Sequence, residues 1–189
     1  MTSKICWLDC ETTGLDANKH AIIQFHMIVD SNGEIVDEFE LFIKPFKGDI
    51  VSKEAMQKHG ISIQDLRTDK FMSPKIAFKQ MITFLEKHVN RYDQADKLIL
   101  AGKNIQFDIR FLRKFFEKMD DPFYGSWFHY PYIEIESEIA KVMAMADLIL
   151  PNYQLSTICE LFEIDLSAHD AKNDIRATRD IYYKINKEE

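Results

Sequence analysis

Asp9 and Glu11 stand two residues apart, directly after the apolar run of residues 5–8. Side chains alternate along a β-strand, so residues two apart share a face, and both carboxylates reach the same small cluster of cations. An isolated Asp-x-Glu pair is common and usually solvated, so a site requires further ligands from distant parts of the chain. Asn104-Ile105-Gln106-Phe107-Asp108 follows a strand candidate at residues 98–101 and opens a helical pattern through Phe111, Leu112, Phe115 and Phe116. That puts Asp108 in a first helical turn beside a strand end. His169-Asp170-Ala171-Lys172-Asn173-Asp174 opens the last helical pattern and adds one imidazole and one carboxylate.

Four carboxylates suit hard divalent cations such as Mg²⁺ or Mn²⁺, which prefer oxygen ligands. Cys6, Cys10 and Cys159 have no metal-ligand spacing, and strand alternation aims Cys10 away from Asp9 and Glu11, into the core. Hydrolysing a phosphodiester needs an activated water and charge stabilisation around a phosphorus already crowded by negative oxygens; two divalent ions about 4 Å apart supply both. An imidazole titrates near neutrality, which suits His169 to the role of general base, worth about 10² to 10⁴ in rate. Residues five apart on a continuous helix lie about 140° from each other, so His169 and Asp174 share a site only if one is outside the helix. Asp170 as N-cap, with Asn173 at the third helical position, leaves His169 on the lead-in; Ser167 with Asp170 offers a competing capping box. No stretch has the spaced oxygens of a twelve-residue calcium loop.

Taken together and in this order, the three segments resemble the motifs of the DEDDh (DnaQ-like) 3′-to-5′ exonucleases. Asp9 and Glu11 match the first motif, Asp108 in Asn-x-x-Phe-Asp the second, and His169 with Asp174 in His-x-Ala-x-x-Asp the third. The resemblance covers nearly the whole chain, and joint occurrence is far more specific than any one motif. Gln24 and Lys103 depart from frequent family residues at positions that carry no catalytic role. The resemblance implies an RNase H-like fold, two Mg²⁺ or Mn²⁺ ions held by Asp9, Glu11, Asp108 and Asp174, and His169 as base. It implies release of nucleoside 5′-monophosphates from a single-stranded 3′ end, with DNA slightly favoured over RNA, and it points to a polymerase or a replication or repair protein as partner. It also implies substrate contacts at Thr12, Thr13, Gly14, Leu15, His59, Asn104 and Phe107. The bland readings stand beside these: His59 as a helix C-cap before Gly60, Leu15 and Phe107 as ordinary packing. The competing functions are a catalytically silent relative that binds nucleic acid or a polymerase, and an oligoribonuclease or ribonuclease T-like RNA exonuclease. All five site residues are present, which favours the enzyme. The stretch from Trp127 to Tyr132 is similar to part of oligoribonuclease.

The remaining elements must position these groups. A strand at residues 5–9 precedes strands at 22–29 and 35–43, which flank Asn32-Gly33, a strong hairpin signal. A helix at residues 73–89, the strand at 98–101 and a helix at 106–118 come next. A short apolar run at residues 132–135 and helices at 136–148, 154–162 and 171–185 complete the chain. A meander followed by alternating helices and strands predicts an α/β protein with a mixed five-stranded sheet covered on both faces. Residues 1–189 are expected to form a single exonuclease domain. The 46% apolar content excludes disorder, and no transmembrane or signal segment is evident, so a cytoplasmic location is expected. The net charge of −7 sits awkwardly with a polyanion substrate. Two basic stripes, Arg110, Arg113 and Lys114 and then Lys172, Arg176 and Arg179, either guide a strand or form solvated faces. His20, His26, His88 and His129 have no motif context and read as structural.

Overall fold

The computed structural model describes residues 4–166 and 171–186. Strands β1 (Lys4–Thr12), β2 (Ile22–Ser31) and β3 (Glu34–Phe42) form the antiparallel meander, and β4 (Leu98–Gly102) and β5 (Ile133–Glu134) join it in parallel. The strand order is β3-β2-β1-β4-β5. Between β2 and β3 the chain reverses through Asn32 and Gly33 at φ 56° and 81°, left-handed values that match the twist of the flanking strands. The first strand is longer than its apolar run suggested: pairing with β2 continues through Glu11 to Thr12, so both motif carboxylates lie inside the strand.

Among the described residues seven α-helices accompany the sheet: α1 (Lys53–His59), α2 (Pro74–His88), α3 (Ile105–Lys118), α4 (Tyr124–Trp127), α5 (Ile135–Ala146), α6 (Leu155–Leu161) and α7 (Ala171–Asn186). Ser73 caps α2 by accepting from the Ile76 N–H, and Pro74 occupies its first turn. The four-residue α4 and a 3₁₀ turn at Asp65–Arg67 were not expected, because neither is long enough to show a period.

Alternation along the strands divides the core in two. Cys6, Leu8, Cys10, Phe25 and Met27 pack with Met81 and Phe84 of α2 and with Phe111 and Phe115 of α3. On the other face Trp7, Ile28 and Ala101 pack with Ile139, Ile158, Ile175 and Ile181 from α5, α6 and α7. Burying each such side chain contributes roughly 1.5 to 3 kcal/mol, so the strand parity decides which face every residue of β1 presents. Asp9 and Glu11 share the parity of Trp7 and therefore face α7.

The basic stripe on α7 is consumed in holding that helix to the sheet. Arg179 Nε meets Asp30 Oδ2 at 2.6 Å, with Asp30 fully buried, while Lys172 and Arg176 both reach Glu38. Arg179 is largely buried by its contact, while Lys172 and Arg176 remain about half exposed beside theirs. A second topological feature opens the site. Strand β4 pairs with β1 only from Lys4 to Trp7, whereas β1 continues to Thr12 along β2. The last part of β1 thus keeps a free edge at the carboxyl ends of two neighbouring parallel strands, the usual place for a ligand crevice in such sheets. Gly102 permits the close approach there, since a Cβ would lie 2.9 Å from the Leu8 carbonyl oxygen. Among the described residues no helix is long and apolar enough to cross a membrane.

Candidate active site

The crevice gathers carboxylates from three elements. Asp9 and Glu11 come from β1, Asp108 from the first turn of α3, and Asp174 from the first turn of α7. Asp108 is buried and its Oδ1 accepts a 3.0 Å hydrogen bond from the Cys10 N–H. That donor sits on the free edge of β1, so α3 takes over the bond that a longer β4 would have supplied. Cys10 itself packs in the core on the opposite face, as alternation requires.

The four groups share one electrostatic environment. Burial, and then the charges of Glu11 and Asp174, push the Asp9 carboxyl up to about 7, with Lys58 pulling the other way. Burial raises Glu11 as well, with Lys58 opposing and Asp174 adding to the rise. Burial and the Asp9 charge hold Asp108 well above the usual carboxylate range. A cluster that resists its own ionisation is short of positive charge, and its all-oxygen donor set suits hard divalent cations. Among the described residues no three carboxylate, thiol or imidazole groups close around a single point as a finished metal site. Neutralisation by cations would draw the mutually repelling carboxylates together.

His169, Asp170 and Ser167 lie outside the described residues, so the proposed base and both capping alternatives do too; the described part of α7 begins at Ala171. The loop after β1 is well defined. Thr12 Oγ1 donates to the Gly14 carbonyl at 2.8 Å, and Thr13 Oγ1 donates to the Ile50 carbonyl at 2.7 Å while accepting from the Ala21 N–H. Both hydroxyls are spent on building the turn. Gly14 lies under the His20 ring, 2.2 Å from where a Cβ would stand, so only glycine fits. The turn projects Leu15 into solvent at 84% exposure, which removes ordinary packing as its explanation.

His59 keeps both of its readings. It ends α1, where Gly60 adopts φ 73° and the His59 Nδ1 accepts from the Ile61 N–H at 3.2 Å, yet its ring also lies against the backbone of Thr12 at the crevice. Asn104 is exposed and left-handed at φ 53°, but it does not cap α3 with its side chain. Phe107 packs on Phe111 at 4.8 Å and against the core, as an amphipathic helix would place it. Lys103 pairs with Glu136 at 2.8 Å and Gln24 with Glu40 at 2.9 Å, so both departures from the family pattern have structural partners.

Three residues near the site were not singled out by sequence. Lys58, in the last turn of α1, is the cation that opposes the rise of Asp9 and Glu11. Glu134 does the capping that Asn104 does not, accepting from the Asn104 and Ile105 N–H groups at 2.8 and 3.0 Å and so fixing the start of the helix that carries Asp108. His26 stands opposite Asp9 in the β1–β2 register, on the same face and almost fully buried. Its Nε2 is 3.0 Å from Glu38, the carboxylate that also receives Lys172 and Arg176 of α7. Burial holds the imidazole below its ordinary value despite Glu38 and Glu40, so it donates to Glu38 as a neutral ring. The alternation of β2 puts His26 on the α7 face, but its neighbours are set by the register of three strands, which no local pattern reveals.

Comparison with known proteins identifies the family and the fold. The family model RNase_T, described as exonuclease, matches residues 6–182. The chain is 28% identical over 183 residues to the PolC-type DNA polymerase III of Oceanobacillus iheyensis, which covers 94% of the chain but only 11% of that relative. It is 26% identical over 189 residues to a probable oligoribonuclease of Schizosaccharomyces pombe, covering 96% of the chain and 64% of the relative. The zinc-bound E. coli ExoI–ssDNA complex superimposes with a TM-score of 0.81 at 18% identity, over 100% of this chain and 41% of that one. The polymerase relatives are thus about nine times longer than the segment they share. Exonucleases of this type use divalent metal ions. The chain belongs to the RNase T exonuclease family, whose members are DnaQ-like 3′-to-5′ exonucleases with an RNase H-like fold.

Proposed function

We propose that residues 1–189 act as a single exonuclease domain that hydrolyses the terminal phosphodiester at the 3′ end of single-stranded nucleic acid and releases nucleoside 5′-monophosphates. The observation that carries this reading is the convergence of Asp9, Glu11, Asp108 and Asp174 in one crevice, where burial and then neighbouring carboxylate charge raise Asp9, Glu11 and Asp108. These four residues would hold two divalent cations, Mg²⁺ or Mn²⁺. When bound, the pair supplies positive charge at the phosphate and lowers the pKa of the attacking water. The chain's own residues do the rest. Asp108, fixed by the Cys10 N–H, sets the carboxylate geometry on the β4 side; Lys58 adds a fixed positive charge at the mouth; His169 takes the proton from the attacking water. Leu15, fully presented by the turn, offers an apolar edge to the terminal base, and the exposed Asn104 and the His59 ring border the same opening.

DNA is favoured as substrate, since the longer relatives are DNA polymerases and the superimposed ExoI is bound to ssDNA. The oligoribonuclease reading has its own support, because that relative matches the chain over most of both lengths. Association with a polymerase follows the same logic from the PolC-type relatives. A panel of 3′-labelled DNA and RNA strands, from dinucleotides upward, with Mg²⁺ or Mn²⁺, separates these possibilities. Asp9→Ala and Asp174→Ala are expected to abolish metal-dependent nucleotide release while the fold persists; undiminished release in either variant refutes the assignment. His169→Ala is expected to lower turnover by about 10² to 10⁴ with metal dependence retained, and an equal loss of metal affinity would make His169 a ligand instead of the base.

A further inference from the structure

The outward face of α3 borders a groove of about 740 Å³, walled by the segment that leads into β5 and by α5. Gln106, Arg110 and Arg113 line its helix side, and Tyr130 and Tyr132 its opposite wall. Tyr130 is 89% exposed, a large aromatic surface left in water. Arg113 is held over the Tyr124 ring at 4.5 Å, and Gln106 bonds the Tyr132 hydroxyl, so the two walls are pre-ordered. Among the described residues neither Arg110 nor Arg113 meets a carboxylate, whereas Lys172, Arg176 and Arg179 are all committed to the sheet. The two acidic residues of the groove are engaged elsewhere: Glu134 caps α3 and Glu138 pairs with Lys141 at 2.8 Å. Two uncompensated guanidinium groups beside an exposed tyrosine, in a protein of net charge −7, mark one patch suited to a polyanion with flat rings.

We propose that this groove binds the 5′-ward part of the single strand, with backbone phosphates on Arg110 and Arg113 and a base stacked on Tyr130. The proposal rests on the exonuclease reading above. Arg110 and Arg113 follow Asp108 on the same helix, about 3 and 8 Å along its axis but about 160° and 140° around it, so a strand reaches the groove by passing over the start of α3. A strand leaving the crevice over the exposed Asn104 and Gln106 enters it within a few nucleotides.

The test compares dT2 and dT12, with rU2 and rU12 in parallel, on the wild type, Arg110→Gln/Arg113→Gln and Tyr130→Ala. In hydrolysis with Mg²⁺, the double variant is expected to raise KM for the 12-mer about tenfold or more while leaving the dinucleotide within twofold, which also reports an intact fold. In EDTA, binding of 5′-fluorescein dT12 followed by anisotropy is expected to weaken, with the slope of log K against log salt falling by about 1.4 for two lost phosphate contacts. Tyr130→Ala is expected to weaken 12-mer binding about tenfold with the salt slope unchanged. Equal 12-mer KM, affinity and salt slope in the double variant and the wild type overturn the groove while leaving the exonuclease reading intact. A wild type that binds dT12 through the arginines yet hydrolyses no substrate refutes the exonuclease reading and keeps the groove.

Discussion

Replacing Asp9 by Asn tests the electrostatic account of the site without reference to catalysis. The substitution keeps the shape of the side chain and removes its charge. In the metal-free protein the Asp9 carboxyl is pushed from 3.8 up to about 7 by burial and by Glu11 and Asp174, which corresponds to roughly 4 kcal/mol held against the ionised form. Because the folded protein binds this proton more tightly than the unfolded chain, no cost exists below about pH 4, where both states are protonated. The cost grows as pH rises from about 4 to about 7, and is complete above that, once the folded state has also ionised. Asp9→Asn in EDTA is therefore expected to melt higher than the wild type at pH 8, with the difference shrinking towards pH 4. At about 2 to 4 °C per kcal/mol for a chain of this size, the ceiling is on the order of 10 °C. Mg²⁺ or Mn²⁺ is expected to stabilise the wild type at pH 8 by neutralising the cluster, and the variant much less. Calorimetry across pH 4 to 8, with and without metal, reads all of this. An Asp9→Asn protein no more stable than the wild type at pH 8, with the same pH slope, refutes the reasoning.

The clamp on α7 makes a separate claim. Arg179→Met strands the fully buried Asp30 carboxylate and is expected to cost about 3 to 5 kcal/mol, read as a fall in Tm; a change within 1 °C refutes it. His26→Leu removes the donor to Glu38 beside Asp9 and is expected to raise the half-saturating Mg²⁺ concentration several-fold. His26→Gln, which retains an N–H donor, is expected to recover most of that loss, whereas identical Mg²⁺ titrations in all three proteins make His26 a passive core residue. Leu15→Ser, at a site 84% exposed, is expected to raise KM for a single-stranded substrate with Tm unchanged, and an unaltered KM removes Leu15 from the substrate path.

How much of this was legible in the chain depends on the range over which each feature is encoded. The hairpin at Asn32-Gly33 and the alternation that puts Asp9 and Glu11 on one face and turns Cys10 inward are local, and local patterns described them. The carboxylates of the proposed site were legible as three separate motifs because each sits near a strand or helix end that sequence punctuation marks. What no local pattern carries is register. His26 meets Asp9 only because β1 and β2 pair with that offset, and Glu38 meets Lys172 and Arg176 across more than 130 residues. Both basic stripes recur at helical spacing, yet one is spent on Asp30 and Glu38, whereas in the other Lys114 pairs with Glu117 and Arg110 and Arg113 line an open groove; the difference lies in which neighbours the fold delivers. Under the proposed function an acidic chain would reconcile itself with a polyanion in this way: its paired cations hold α7, and Asp174 with it, to the sheet, and attraction of a strand would fall to the α3 arginines and to the cations that the carboxylates would hold.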